Sequence, residues 1–205
     1  MTHLTRRAAL LGGLSALAAC ATAPETWAPD SALRGAAYTD PGGPLLTLYT
    51  MKSTSSGAGN HTGLMISASQ RVIFDPAGTF GHPSIPERNE LHYGITPRIA
   101  AFYESYHARA TYYVLRQDIP VSAEVAERAF VLAQSAGPVS QARCTTAVSR
   151  ILRDAGVPRI RSTFFPGSLS DQVARLPGVR ETEIREDDDP DKAVALETFD
   201  QEIRG

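Results

Sequence analysis

Cysteine occurs only twice in this 205-residue chain, at Cys20 and Cys144. With Cys20 committed elsewhere, no intramolecular disulfide remains, and a hydrophobic core alone has to hold the fold. Cys20 does stand apart. It closes Leu17-Ala18-Ala19-Cys20, at the end of an uncharged stretch, residues 8–19, that follows Arg6 and Arg7 and carries Leu10, Leu11, Leu14 and Leu17. A positive start, a short apolar run and small residues at its end read as an export signal. A spanning helix needs about 20 apolar residues, more than this run supplies.

Leu17-Ala18-Ala19-Cys20 resembles the lipobox of bacterial lipoproteins. That resemblance implies acylation of the Cys20 thiol and a mature chain that begins there. Thr5-Arg6-Arg7-Ala8-Ala9-Leu10 resembles a twin-arginine export signal. Ala21 follows the cysteine, with no Asp to hold the chain at the inner membrane, so the expected location is the outer membrane, facing the periplasm. The expected organisation is a signal peptide at 1–19 and a lipidated flexible tether at 20–44, rich in Ala, Pro, Thr and Gly. A domain at 45–186 follows, then an acidic C-terminal tail at 187–205 that is an exposed helix or a frayed end. The net charge is −2 and no basic cluster stands out, which argues against a nucleic-acid partner. The membrane partner is expected through the lipid alone.

Hydrophobic patterning predicts an α+β fold, a small antiparallel sheet with helices packed on it. Residues 45–51 are strand-like. Ser53-Thr54-Ser55-Ser56-Gly57-Ala58-Gly59 is a loop without the Gly-Lys-Ser/Thr ending of a phosphate-binding loop. Residues 60–66 and 71–75 form a hairpin turning at 67–70. A long loop over 76–94 carries His82 and His92, which the sequence leaves unplaced. Thr96 and Pro97 start a helix to about residue 108, residues 111–119 read as a strand, and Ser122 caps a second helix ending near Gly137-Pro138. A third helix spans 141–155, stopped by Gly156 and Pro158, and the chain beyond it reads as less regular.

On the third helix, Cys144, Val148, Ile151, Leu152 and Ala155 fall on one face, and Arg150, Arg153 and Asp154 on the other. Cys144 therefore points inward from the first turn, where the macrodipole and unpaired N–H groups favour a thiolate. A cysteine in such a place is often only a small core hydrophobe. His61 gives it a second use. On its strand His61 shares a face with Gly63 and Met65, and Gly63 leaves room beside the ring. Cysteine and histidine within hydrogen-bond reach make a nucleophile that attacks a carbonyl. Asp75, at the end of the partner strand, is placed to orient the imidazole, or else simply initiates the turn Asp75-Pro76-Ala77-Gly78.

His61-Thr62-Gly63-Leu64-Met65-Ile66, a short turn and Arg71-Val72-Ile73-Phe74-Asp75 resemble the histidine hairpin of the papain-like NlpC superfamily. Because His61 precedes Ala142-Arg143-Cys144-Thr145-Thr146, the order is similar to the circularly permuted branch of cysteine peptidases and acyltransferases. The resemblance covers roughly residues 45–157. It implies a permuted papain-like fold and an envelope thiol hydrolase, amidase or peptidase, or acyltransferase, with peptidoglycan peptides as the favoured substrate class. Cys144 would be the nucleophile, His61 the general base and Asp75 the orienting residue. The Cys144 backbone N–H and Gln141 would stabilise an oxyanion. No metal or organic cofactor is implied. A metal site built from His61, Asp75, His82 and His92 lacks any tight ligand spacing. Gly167-Ser168-Leu169-Ser170 lacks the closing glycine of a serine nucleophile elbow. The rival reading is a non-catalytic envelope lipoprotein that binds a wall fragment, lipid or protein and keeps Cys144 inert.

Overall fold

A computed structural model describes residues 26–186 and 189–204. The signal peptide, Cys20 and its lipidation, and the middle of the acidic run lie outside the described residues. The fold is α+β. Seven strands, β1 (Leu45–Ser53), β2 (Gly59–Ser67), β3 (Arg71–Phe74), β4 (Glu87–Arg88), β5 (Leu91–Tyr93), β6 (Tyr112–Pro120) and β7 (Arg180–Ile184), form one antiparallel sheet in the order β4-β5-β3-β2-β1-β6-β7. Among the described residues six α-helices accompany it: α1 (Asp30–Ala36), α2 (Pro97–His107), α3 (Ala123–Ala136), α4 (Cys144–Ala155), α5 (Pro166–Ala174) and α6 (Ala193–Arg204).

The sheet is larger than the small one expected, because both of its faces are apolar. On β1 and β2, Leu46, Leu48, Leu64 and Ile66 point to one side and pack with Phe130 of α3, Val148 and Leu152 of α4 and Leu169 of α5. Tyr49, Met51 and Met65 point to the other and pack with Phe102 and Tyr103 of α2 and Phe199 of α6. Alternation along a strand that is buried on both faces reads as a near-continuous apolar run, and two helical layers cover it. The predicted caps close as expected. Thr96 accepts from the Ile99 N–H and Ser122 from the Val125 N–H, while Gly156 ends α4 in the left-handed region at φ 102°.

Three expectations need correction. The tether ends sooner than residue 44. Trp27 bridges Arg88, the Tyr38 carbonyl accepts from the Arg71 N–H at 2.7 Å, and Asp40 pairs with the Arg71 guanidinium, so residues 26–44 belong to the domain. The loop over 76–94 contains β4 and β5, a hairpin too short to show a strand period. The C-terminal residues do form a helix, but it is docked on the domain by one face rather than wholly exposed. Helix α6 buries Ala195 and Phe199, and Phe199 stacks on Phe102 with ring centroids 4.0 Å apart.

Candidate active site

The site forms where the sheet opens. β3 pairs with β2 only from Leu64 to Ser67, and beyond Phe74 the chain leaves the sheet at Asp75-Pro76. Proline has no N–H to continue a ladder. The margin of β2 at His61 and Thr62 is therefore free of β3, and side chains from both helical layers meet there.

Cys144 comes from one layer. Its helix packs on the Leu48 and Leu64 face, after a 3-10 turn at Gln141–Arg143 that sets Cys144 at the first position of α4. Cys144, Val148, Ile151, Leu152 and Ala155 are all buried, so the inward face is the one the periodicity predicts. The thiol is 3% exposed. Burial raises its pKa, but a hydrogen bond and the charge of His61 lower it, helped by the Thr145 hydroxyl and the Thr62 backbone. The net position is below an ordinary thiol. The Thr145 hydroxyl, 3.8 Å from Sγ, is itself 3.0 Å from that of Thr62, which fastens the first turn of α4 to β2.

His61 comes from the opposite face of the sheet, across from Met51 on β1. Its ring stacks on that of His107 of α2, with centroids 5.9 Å apart. Its Nε2–H donates to Asp75 Oδ1 at 2.9 Å, which leaves Nδ1 as the ring nitrogen free of the carboxylate. Burial lowers the imidazole pKa, but the Asp75 carboxylate and the Cys144 sulfur outweigh it and hold the ring well above its ordinary value. The thiol and imidazole shifts are two views of one coupled pair, and both favour thiolate with imidazolium.

Asp75 is fully buried and accepts hydrogen bonds from three side chains: His61, the Thr79 hydroxyl at 2.9 Å and the Tyr103 hydroxyl at 3.0 Å. Burial raises a carboxyl pKa, yet His61, its hydrogen bond and the nearby His107 hold this one far below the usual carboxylate range. Its two readings coexist, since the Asp75 carbonyl also accepts from the Gly78 N–H at 3.1 Å and closes the turn. The room beside Gly63 has a tenant. A Cβ on Gly63 would lie 2.1 Å from the Tyr103 hydroxyl, so the glycine admits the tyrosine to Asp75.

Sequence reasoning missed Thr79, Tyr103 and His107. The available signal was helical: Tyr103 and His107 are one turn apart on α2, whose inward face also carries Ala100. His107 donates through Nδ1 to the Tyr103 carbonyl at 2.9 Å, and its Nε2 stands 3.2 Å from the Thr79 hydroxyl. Burial holds its pKa down to about 3, so the ring is neutral.

A cleft of about 200 Å³ opens beside His61, walled by Met51, Asn60, Tyr112, Gln141 and Lys192, with Thr79 and His107 also in its lining. Gln141 thus shares the cleft with His61, three residues before the thiol. His82 is elsewhere, bonded to Ser84 and Asp200, and His92 lies beside Glu87 and Glu90. The four-residue metal set considered from sequence is therefore not assembled. His61, Asp75 and His107 do offer ligand atoms within 4.8 Å of one another, but the Thr79 hydroxyl lies among them, within hydrogen-bond distance of each. No protein-family model, curated protein or solved structure matches this chain.

Proposed function

We propose that this chain is a cysteine hydrolase, amidase or peptidase, or an acyltransferase, working through Cys144 and His61 with Asp75 as the orienting residue. One observation carries the reading. A thiol, an imidazole and a buried carboxylate from three separate elements gather in that order: the imidazole and carboxylate are hydrogen-bonded at 2.9 Å, the charge of His61 lowers the thiol pKa, and His61 lines a cleft. That order matches the roles of nucleophile, base and orienter.

The Cys144 thiolate attacks the carbonyl carbon, and a C–S bond forms. The oxyanion lies near the N-terminus of α4, where the Cys144 N–H and the Gln141 amide are the candidate donors. His61 then gives its Nδ1 proton to the leaving nitrogen or oxygen as that bond breaks. Water or another acceptor, deprotonated by the same nitrogen, releases the acyl group and restores the thiolate. With the thiol only 3% exposed, substrate enters from the cleft between His61 and Gln141.

Peptidoglycan peptides are the substrate class we favour, with Cys20 as lipid anchor and the periplasmic face of the outer membrane as location. This part rests on the N-terminal sequence and the family resemblance. The test is intact-mass detection of an acyl adduct on Cys144 after exposure to muropeptides and to short activated esters. An adduct absent from Cys144→Ala supports the reading, and turnover surviving in that variant contradicts it. The burial of Cys144 favours the rival, an inert cysteine in a binding lipoprotein, which predicts no adduct from any acyl donor.

A further inference from the structure

A second cluster lies at the far edge of the sheet. Glu87 and His92 face each other across the β4–β5 hairpin, with His92 Nδ1 3.9 Å from Glu87 Oε2. Glu90 sits in the two-residue turn between the strands. One ligand atom from each of Glu87, Glu90 and His92 lies within 4.8 Å of the other two. His92 is fully buried, and neither of its ring nitrogens has a hydrogen-bond partner. Glu90 is 3% exposed, and among the described residues its carboxylate accepts no hydrogen bond.

Such a cluster is costly as it stands. A buried imidazole with two unmet nitrogens carries the desolvation penalty of each unsatisfied group. The Glu90 carboxylate, without a donor, is penalised further, whereas Glu87 Oε1 accepts from the Glu90 N–H at 3.3 Å. Glu90 also takes φ 66° in a turn position where glycine is the usual residue, so a side chain is kept there against the backbone preference.

We propose that Glu87, Glu90 and His92 bind a divalent transition-metal ion of the zinc class. One imidazole and two carboxylates are a zinc-type ligand set, with bonds of about 2.0–2.2 Å. Two ligands on one such ion stand about 3–4 Å apart, a range that includes the His92–Glu87 separation. Glu87 also lines an open cleft with Trp27, Gly81 and His82, which gives the ion a way in. The site is separate from Cys144 and does not depend on the proposed activity. It is linked to that site by the Glu90 carbonyl, which accepts from the Asp75 N–H at 2.9 Å, and by Phe80, whose ring packs on both His92 and Tyr103. The bound ion would pin the hairpin beside Asp75.

The test uses the full chain carrying Cys20→Ala and Cys144→Ala, so that no thiolate competes, stripped with chelator and titrated with Zn²⁺ by calorimetry. One equivalent is expected to bind and raise the melting temperature. His92→Gln and Glu90→Gln should each weaken binding at least tenfold, while His61→Ala leaves it unchanged. Co²⁺ loading supplies a visible spectrum that reads the ligand set directly and should be lost in the same two variants. If His92→Gln fails to fold, Glu90→Gln and Glu87→Gln decide. No binding at 100 µM Zn²⁺, binding kept by the Glu90 and His92 variants, or binding lost with His61→Ala would overturn the site.

Discussion

His61 Nε2 lies 2.9 Å from Asp75 Oδ1, and this contact leaves Nδ1 as the ring nitrogen free of the carboxylate. An imidazole held by a carboxylate at Nε2 presents Nδ1 to its other neighbour in a fixed tautomer. Thr79 and Tyr103 hold the carboxylate from two further directions. The imidazole is oriented by a chain of buried hydrogen bonds that reaches into α2.

Asp75→Asn keeps the shape and removes the charge. The imidazolium loses its main stabiliser, so the Cys144 thiol pKa should rise and turnover should fall by about 10²- to 10⁴-fold. Alkylation kinetics against pH read the thiol directly. A variant with an unchanged thiol pKa would remove Asp75 from the account.

Gly63→Ala should disturb the site without touching a reacting group. The new methyl meets the Tyr103 hydroxyl, which is fully buried and cannot swing into solvent. Overpacking of this kind costs about 1–3 kcal/mol, and the displaced tyrosine no longer donates to Asp75. Gly63→Ala with Tyr103→Phe removes the clashing hydroxyl and should recover part of the lost stability in a urea melt.

Much of this was legible in the residues. The α4 face is set by apolar spacing at Cys144, Val148, Ile151 and Leu152, and the His61 hairpin by alternation around a polar turn. The rest was hidden for physical reasons. Strand β7 reads Arg-Glu-Thr-Glu-Ile, an edge strand whose exposed residues carry no apolar period. The Tyr103 hydroxyl fills the space beside Gly63 from a helix 40 residues away in the chain, a tertiary contact that no local pattern encodes. That His61 and Cys144 come from opposite faces of the sheet depends on where β3 stops, and only the register reveals it.

Burial of neutral His107 should make the fold acid-sensitive. Its pKa is about 3 when folded and near the ordinary 6.5 when unfolded. The unfolded chain therefore takes up the proton first, and stability falls as pH drops from about 6.5 toward 3. His107→Gln keeps a polar side chain at that position and should flatten this part of the curve of melting temperature against pH. An unchanged curve would show that His107 does not carry the effect.

Removing the aromatic stack of α6 should loosen that layer. Phe199→Ala deletes the ring packed on Phe102, and large-to-small changes of this type cost about 3–5 kcal/mol. Chemical denaturation measures it. A loss under 1 kcal/mol would mean that α6 is dispensable to the core.

The central claim is an activated thiolate at Cys144, and the most direct measurement is its alkylation rate against pH, with and without His61→Ala, on protein beginning after Cys20. Cys144 is then the only cysteine present. The lowered thiol and raised imidazole predict rapid labelling that persists below pH 7 and is lost with His61→Ala. Slow labelling with an ordinary thiol pKa, the same in both proteins, would contradict the account and leave Cys144 as a packed, inert residue.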